Sequence, residues 1–507
     1  MKRRNLLKST LLGGMAVAAQ PVKASAVSRG SVRQTEFAKA LLAQPWLVGY
    51  AHSERERYQA DAKVNGVWPE RLQGTLYRNG PAAHELGNYR YSHWFDGDGL
   101  MHAYRIRNNQ VSHQAAYVNT TKRQAEKQAR RPLYSGFDSV VADPGLVTGP
   151  NSSNVANISV LHHHGKLMAL WEAGAPWEID ESDLSTHGMY AFSEETRGVP
   201  FSAHPRIEPD GTLWNVGYAS SANLLVLWHI GSDGKIKKMG KVAASPITMV
   251  HDFVVTERHI VVLFAPFHYE HRDAPSFLQA HQWHPADPTR VLVVDKNDFS
   301  TYRWLELPAQ WVFHFGNAWE DKDGVIRFDA ASYEDPSVMT LNFREIMRGN
   351  LMPIGKQRHY GYRIDTRTGE CSQQPLFGSD LLSEFPSIDP RVSCRRYNKL
   401  YMLTQSKNQP RRHNALLSAV SGFDFATGKM DTYHYPEHQI PEEHLYVPDR
   451  EAGAEQGGWV IGTALDWREQ RMILNAFDAR SLNDGPVASA TLPYAMPLGL
   501  HGTFVHA

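Results

Sequence analysis

Residues 289–307 have the sequence TRVLVVDKNDFSTYRWLEL. Two runs of residues that favour β-strands flank a polar stretch whose Asp, Asn and Ser residues favour a turn. The segment therefore predicts a β-hairpin. Similar segments follow one another from about residue 65 to the end of the chain, and turn signals such as Asn108-Asn109 and Asp233-Gly234 separate them.

Helical periodicity is scarce, with candidate helices only at residues 33–43 and 121–130. The second is so highly charged that we expect it on the surface. Many short strands without alternating helices predict an all-β sandwich, barrel or propeller. Length favours the propeller, because a blade takes ~40–50 residues and 507 residues then hold seven blades plus loops. No linker rich in Pro, Gly or Ser divides residues 27–507, so we expect a single β-propeller domain.

Composition narrows the possible partners and chemistries. The chain has 53 basic and 53 acidic residues, a formal net charge of zero, which argues against nucleic acid as a partner. The two cysteines, Cys371 and Cys394, exclude a disulfide framework and a Cys-based zinc site. One disulfide between them and two free thiols are equally compatible with the sequence.

The N-terminus has the anatomy of an export signal. Arg3-Arg4 precedes a weakly apolar stretch, and residues 24–26 (ASA) form a small-residue cleavage site. We predict a signal peptide of the twin-arginine type over residues 1–26 and a mature chain that begins near Val27. A folded metalloprotein that loads its metal before export suits this route, so we expect a bacterial periplasmic location.

Four histidines lie in separate strand-like segments: FSAHPRIEPDG, MVHDFVVTERH, WVFHFGNAWED and LGLHGTFV. They are His204, His251, His314 and His501, and 47, 63 and 187 residues separate them (251 − 204, 314 − 251 and 501 − 314). Those gaps correspond to about one, one and four blades. Inner strands of a propeller line one channel, so the four side chains can meet on its axis. Neutral imidazoles suit Fe, Cu, Ni or Zn, although a lone histidine is more often a hydrogen-bonded core residue.

Nine short motifs occur in a definite order along the chain. They are residues 74–81 (GTLYRNGP), 93–100 (HWFDGDGL), 170–172 (LWE), 203–205 (AHP), 251–253 (HDF), 313–320 (FHFGNAWE), 384–386 (EFP), 443–448 (EHLYVP) and 500–502 (LHG). With these motifs the chain resembles the carotenoid cleavage oxygenase family over nearly its whole mature length. The resemblance implies a seven-bladed propeller in which loops and short helices form a cap over an axial metal site.

The same resemblance implies the site. One Fe(II) per chain would be held by the four histidines, and three glutamates would orient three of them through the second ring nitrogen. The implied pairs are Glu172 with His251, Glu384 with His314, and Glu443 with His501, which leaves His204 without a carboxylate. Glu442 is adjacent to Glu443, so this last assignment could shift by one residue.

The implied activity is a dioxygenase that cleaves a conjugated C=C bond with O2 into two carbonyl products. A carotenoid or apocarotenoid is the first substrate hypothesis. A hydroxystilbene or phenylpropene is the alternative, for which Tyr117, Lys122 and Lys127 are candidate phenol-binding residues, although solvated positions on a charged helix explain them better. A metal-free propeller that acts as a binding platform remains open. A third alternative is a retinoid-ester isomerase, for which the sequence carries no signal. The sequence leaves the oligomeric state undecided.

An apolar, conjugated substrate calls for an aromatic tunnel. Candidates lie near the histidines: Phe253, Phe313, Phe315, Trp319, Phe385, Tyr446 and Phe504. The segment 264–285 mixes aromatic and charged residues, which is compatible with peripheral membrane contact or with a cover over the propeller. We expect Asp252 and Glu320 to cap turns or bind backbone N–H groups, and the run 162–164 (HHH) to precede a hairpin turn rather than bind metal.

Overall fold

The computed structural model describes residues 25–271, 273–378, 381–406 and 417–507, with side chains from residue 31 onward except that of Ser406. The predicted signal peptide lies almost entirely outside the described residues. Within them, short antiparallel strands dominate. The strands are β1 Arg57–Asp61, β2 Lys63–Gly66, β3 Gly74–Ala83, β4 Glu85–Leu86, β5 Tyr89–Arg90, β6 Asp98–Arg107, β7 Gln110–Tyr117, β8 Ser159–His163, β9 Lys166–Leu170, β10 Trp177–Ile179, β11 Thr186–Met189, β12 Arg206–Ile207, β13 Leu213–Ala219, β14 Leu224–Ile230, β15 Ile236–Ala243, β16 Val254–Val255, β17 His259–Phe264, β18 Phe267–Tyr269, β19 His281–Trp283, β20 Thr289–Asp295, β21 Tyr302–Leu307, β22 Trp311–Glu320, β23 Val325–Tyr333, β24 Gln357–Asp365, β25 Cys371–Pro375, β26 Leu381–Ser387, β27 Lys399–Ser406, β28 Ala419–Asp424, β29 Lys429–His434, β30 Gln439–Pro448, β31 Gly458–Asp466, β32 Arg471–Asp478, β33 Ala488–Thr491 and β34 Gly502–His506.

Seven sheets of four or five strands form the blades of a propeller. In the order of the sheets the blades are blade 1 (β1-β7-β6-β3-β34), blade 2 (β11-β10-β9-β8), blade 3 (β12-β13-β14-β15), blade 4 (β16-β17-β20-β21), blade 5 (β22-β23-β24-β25), blade 6 (β26-β27-β28-β29) and blade 7 (β2-β33-β32-β31-β30). The all-β, seven-bladed prediction is confirmed. Two small hairpins, β4–β5 and β18–β19, lie outside the blades.

The hairpin predicted at residues 289–307 is β20 and β21, paired antiparallel from Thr289 opposite Leu307 to Val294 opposite Tyr302. Successive side chains of a strand point to opposite faces. Val291 and Val293 accordingly join the core shared with blade 5, whereas Leu292 and Val294 join the core shared with blade 3. Both faces of each central strand are buried, because blades pack face to face around the ring.

The two ends of the chain close the ring. The C-terminal strand β34 pairs with β3 to complete blade 1 on its inner edge, with Gly74 opposite His506. The N-terminal strand β2 pairs with β33 on the outer edge of blade 7. Closure therefore rests on pairing between strands that are far apart in sequence.

The helices are few among the described residues. They are α1 Ser25–Ala43, α2 Thr121–Ala129 and the short α3 Phe343–Glu345, with 3₁₀ segments at Pro45–Tyr50, Trp94–Asp96, Pro150–Ser153, Glu194–Thr196, Ser220–Ala222, Leu278–Ala280, Ile346–Arg348, Pro390–Val392 and Leu482–Asp484, and one π-turn at Val338–Asn342. Both predicted helices are present. None of the described helices is both long and apolar enough to cross a membrane.

The surface position expected for α2 is wrong for one face of the helix. Lys122, Arg123 and Glu126 are buried. Lys122 forms ion pairs with Asp98 at 2.9 Å and with Glu126 at 2.8 Å, and Arg123 pairs with Asp98 at 3.1 Å. A buried charge is tolerated when it is paired, and the partner Asp98 comes from a strand distant in sequence. The charge pattern of the helix alone could not show this.

Candidate metal centre

The four histidines of the sequence analysis meet at the inner ends of blades 1, 3, 4 and 5. Their ligand-capable nitrogens all lie within 4.8 Å of one another. The Nε2 atom of His251 is 3.1 Å from that of His204 and 3.4 Å from that of His314, and the rings of His314 and His501 are 4.7 Å apart. His251, His314 and His501 are 6–8% exposed. The propeller thus brings together residues from positions 204 to 501.

Irregular strand pairing orients several side chains of the metal centre. The pairing of β22 with β23 is irregular between Val312 and Phe315, the stretch that holds His314. The register also shifts after Glu384 in β26 and between Pro441 and His444 in β30. A bulge bends a strand and redirects a side chain. Three site residues therefore depend on local departures from regular pairing.

Each of three histidines has a buried carboxylate on its Nδ1 atom. The distances are 2.6 Å from His251 to Glu172, 2.7 Å from His314 to Glu384, and 2.7 Å from His501 to Glu443. An ionised carboxylate only accepts hydrogen bonds, so each Nδ1 carries the proton and each Nε2 presents its lone pair to the centre. These are the three pairs that the family resemblance implies.

Contacts distinguish Glu443 from Glu442, the one assignment that the sequence analysis left open. Glu443 faces His501, whereas Glu442 accepts from the Thr463 hydroxyl and the Gly499 N–H. The bulge in β30 lets two consecutive glutamates be buried with different partners. Among the described residues, no carboxylate forms a hydrogen bond with His204.

The second oxygen of each carboxylate also has a donor. Tyr218 donates to Glu172 at 2.5 Å, Tyr333 donates to Glu384 at 2.7 Å, and the Gly502 N–H donates to Glu443 at 2.7 Å. The sequence analysis did not identify either tyrosine. Each lies in a strand far from its glutamate in sequence, and neither strand carries a local signal for such a contact.

The electrostatics of the site call for a cation. Glu172 and Glu384 are 5% and 8% exposed and have no Lys or Arg partner among the described residues. Burial by itself raises the pKa of the Glu443 carboxyl, but His501, Arg78 and the Gly502 N–H together hold that pKa below its ordinary value. Burial and the neighbouring carboxylates raise the pKa of Tyr218 and Tyr333 well above the usual range, so both remain donors. Buried negative charge without compensation is costly.

The spacing of the nitrogens fits a metal ion. Two nitrogen ligands ~2.1 Å from one ion lie ~3.0 Å apart at a right angle and ~3.4 Å apart at a tetrahedral angle. The observed Nε2–Nε2 distances are 3.1 and 3.4 Å. Four converging lone pairs backed by three carboxylates are a donor set for a divalent transition metal.

Two of the seven aromatic candidates contact the histidines. Phe313 lies 5.2 Å from His251, and Phe385 lies 5.3 Å from His314 and 5.2 Å from His501 (ring centroids). The other five pack elsewhere: Phe253 in the core between blades 3 and 4, Phe315 on Phe328, Trp319 beside Arg327, Tyr446 on Tyr401 and Phe504 on His506.

A further group of aromatic residues was not foreseen. Phe95 lies 6.5 Å from Phe313 and 5.6 Å from Phe137, and Phe343 lies 5.3 Å from Phe95. These three residues come from connecting segments and form an apolar cap beside the histidines. The family resemblance implied that loops and short helices form a cap. It did not indicate which of their residues would do so, because these segments have no strand pattern.

The remaining motif predictions can be compared with the structure. His162 pairs with Glu181 and His163 bonds to the Gly211 carbonyl, just before a turn. Asp252 accepts from the Phe253 and Phe315 N–H groups, as expected. Glu320 is different, because its partners are side chains: Thr256, His259 and Arg258. Cys371 and Cys394 are both free.

Comparison with known proteins agrees with the fold. Residues 50–506 match the family model described as retinal pigment epithelial membrane protein, RPE65. The chain belongs to this family, which confirms the resemblance that the motifs indicate. It is 29% identical to an apocarotenoid-15,15'-oxygenase of Synechocystis over 91% of this chain and 96% of that protein.

Two further similarities bear on substrate and metal. The chain is 27% identical to an isoeugenol monooxygenase of Pseudomonas nitroreducens, over 91% of this chain and 98% of that protein. The crystal structure of a cobalt-substituted Synechocystis ACO superposes with a TM-score of 0.80 at 25% identity, covering 91% of this chain and 98% of that chain.

Proposed function

We propose that this protein is a non-haem Fe(II) oxygenase that cleaves a conjugated C=C bond with O2 to give two carbonyl products. The observation that carries the proposal is the convergence of four Nε2 atoms, with His251, His314 and His501 each backed by a buried carboxylate. A Synechocystis relative named as an apocarotenoid oxygenase covers nearly the whole chain. We propose a carotenoid or apocarotenoid as the substrate.

His204, His251, His314 and His501 would hold one ferrous ion per chain. When bound, the ion supplies the redox chemistry by which dioxygen reacts with the alkene. The glutamates fix the tautomer and the orientation of three imidazoles. Tyr218 and Tyr333 in turn hold two of those glutamates in place.

The apolar side of the centre would receive the alkene. Phe313 and Phe385 contact the histidine rings, and Phe95, Phe137 and Phe343 continue the apolar surface away from them. Aromatic side chains match the flat face of a conjugated chain and exclude water from it. Their role is to place the double bond beside the histidines rather than to transfer protons.

The test combines metal analysis with substrate assays. Protein produced with iron should contain about one iron per chain and should convert an apocarotenal to two carbonyl products under O2. Protein stripped with a chelator should lose the activity and regain it with Fe(II). Iron-loaded protein that leaves apocarotenals intact, yet cleaves resveratrol-like compounds, would reject the carotenoid assignment alone.

A phenolic substrate is the second candidate, because a relative is named isoeugenol monooxygenase. The residues considered for phenol binding are engaged elsewhere. The Tyr117 hydroxyl donates to the Ser53 carbonyl, the Lys122 ammonium lies between Asp98 and Glu126, and Lys127 pairs with Glu56. These contacts favour the apolar substrate.

The metal-free binding platform makes the opposite prediction for metal. A propeller of that kind would bind no iron even when Fe(II) is supplied in excess. Measurement of iron in the purified protein therefore separates an enzyme from a platform without any knowledge of the substrate.

We also propose export to the periplasm by the twin-arginine route, on the strength of Arg3-Arg4 and residues 24–26. Replacement of both arginines by lysine should leave the protein in the cytoplasm, as fractionation with a periplasmic marker would show. Peripheral membrane contact through residues 264–285 has less support, because Phe267 and His281 of that segment are buried. Vesicle flotation would test it.

A further inference from the structure

The hairpin β18–β19 carries a second group of potential metal ligands. Phe267 lies opposite Trp283 and His268 opposite Gln282. Since side chains alternate along a strand, Phe267 and His281 face inward and are 3% and 6% exposed. His268 and Glu270 project from the other face. His284 joins them from the opposite arm, where its backbone N–H donates to the Pro266 carbonyl.

The ligand atoms on this outer face are close together. His268, Glu270 and His284 have one ligand atom each within a 4.8 Å cluster. The Nε2 atom of His284 lies 2.7 Å from the Glu270 carboxylate, and the Nδ1 atom of His268 lies 3.8 Å from it. Asp287 stands 3.9 Å from the same Nδ1 atom. The cluster belongs to neither the axial centre nor its carboxylates.

The contacts within the group leave potential metal-ligand atoms without a hydrogen bond. The His284 Nε2 atom is buried and, among the described residues, makes no hydrogen bond of acceptable geometry despite its nearness to Glu270. The two imidazole rings stack at 4.9 Å, with 22° between their planes. Distances of 3.8 and 3.9 Å exceed a hydrogen bond but stay below the ~4.0–4.4 Å that is the largest separation of two ligands each ~2.0–2.2 Å from one ion.

We propose that the outer face of this hairpin binds a Zn²⁺-class divalent cation through His268, Glu270 and His284, with Asp287 at the edge of the site. Two imidazoles and a carboxylate are a common donor set for zinc. The ion would connect the two arms of the hairpin and fix its inner aromatic face on the cap.

The surroundings are compatible with a cation. Arg290 is a positively charged neighbour of His268, but its guanidinium donates to the Ser245 and Pro246 carbonyls. Glu270 and Asp287 supply two negative charges. The side chains of Glu270 and His284 are 38% and 35% exposed, so a metal ion can enter from solvent.

The experiment uses the full chain with its axial site loaded with iron. Equilibrium dialysis against ZnCl2 should give one bound zinc per chain while the iron content stays constant. His284→Gln and Glu270→Gln should each weaken zinc binding at least tenfold. His187→Gln is the matched control, since His187 is an exposed histidine 3.1 Å from Asp180 that belongs to no cluster of three ligands among the described residues.

Thermal unfolding provides an independent readout. Zinc should raise the Tm of the wild type and of His187→Gln but not that of His284→Gln. The proposal would be overturned if the wild type and both cluster variants bound zinc equally. It would also be overturned if the wild type bound no zinc at 100 µM, about a hundredfold above a micromolar dissociation constant. The inference does not rest on the proposed oxygenase activity, because the iron content and the zinc content are measured separately.

Discussion

The axial histidine cluster and the cluster on the β18–β19 hairpin are built in different ways. The axial histidines come from four blades, are enclosed by the ring, and three of them have a carboxylate on the second nitrogen. The cluster of His268, Glu270 and His284 comes from one short hairpin, and its side chains are 12–38% exposed. Among the described residues, no further hydrogen bonds orient its two imidazoles.

The difference teaches what tertiary structure contributes to a metal site. Strand alternation and cross-strand pairing suffice to gather ligands on a hairpin. They do not fix ring orientation or exclude water. The axial site adds both, through buried carboxylates and the tyrosines behind them. We therefore expect the axial site to bind its ion more tightly and to tolerate fewer substitutions.

The substitution with the largest expected effect on the axial site is His314→Ala. Loss of one axial ligand should remove the iron and lower activity by more than ~100-fold, beyond the ~10–100-fold typical of losing an outer partner. Iron content and product formation measure it. His162→Ala, at a histidine paired with Glu181, should keep both. Full activity of the His314 variant would show that the cluster is not the metal site.

The carboxylates behind the ligands come next. Glu384→Gln keeps an acceptor for His314 but removes the negative charge, so Fe(II) affinity should fall ~10–100-fold. Competition with a chelator measures the affinity. Glu442→Gln is the control, since Glu442 is buried but bonds to Thr463 and Gly499 instead of a ligand. Equal losses in both variants would contradict a specific role for Glu384.

The inner face of the hairpin predicts a pH dependence. Burial lowers the pKa of His281 to about 4, below the ~6.5 of an unfolded histidine. Between these values the unfolded chain binds the extra proton, so stability falls as the pH falls from ~6.5 to ~4, by up to about 3 kcal/mol.

His281→Gln should remove this part of the pH dependence. Urea unfolding of the wild type and the variant at several pH values between 4 and 7 gives the difference. Parallel curves for the two proteins would show that His281 titrates normally when folded.

Tyr333→Phe should have a smaller and purely local effect. It removes the hydroxyl that donates to Glu384 at 2.7 Å. A hydrogen bond to a charged group contributes ~1.5–3 kcal/mol, and denaturant unfolding should show a loss of this size. Tyr302→Phe, at an exposed tyrosine, should change stability little. An unchanged Tyr333→Phe would mean that Glu384 finds another donor.

The smallest effect is expected in the hairpin cluster. With metal removed by a chelator, His284→Gln should change the free energy of unfolding by less than ~1 kcal/mol, because exposed ion pairs contribute little. The same substitution should matter once zinc is present. A large loss without metal would show that the His284–Glu270 contact is structural, and would make the two clusters more alike than proposed.

Much of the axial site was predictable because its residues lie in recognisable local motifs. His204, His251, His314 and His501 each stand in a short strand-like segment, and the resemblance implied their glutamates. Tyr218 and Tyr333 were not predictable, because hydrogen bonds between separate strands leave no trace in local sequence. The burial of Lys122 was missed for the same reason, since its partner Asp98 lies in a separate element, strand β6.

The hairpin cluster shows a further limit. The segment 264–285 was interpreted by composition, as membrane contact or cover, and its two short strands were not foreseen. Three-residue strands such as β18 and β19 are too short for alternation to be recognised in the sequence. Their register alone puts His268, Glu270 and His284 on one face.

By itself the sequence determined the class of fold, its seven blades, the family, and the histidines that meet on the axis, because strand alternation, turn residues and motif order are local properties. Tertiary structure decided which of Glu442 and Glu443 faces His501, which tyrosines hold the glutamates, which aromatic residues reach the centre, and that a second cluster exists. These depend on bulges, cross-strand register and ring closure, where residues hundreds of positions apart come into contact.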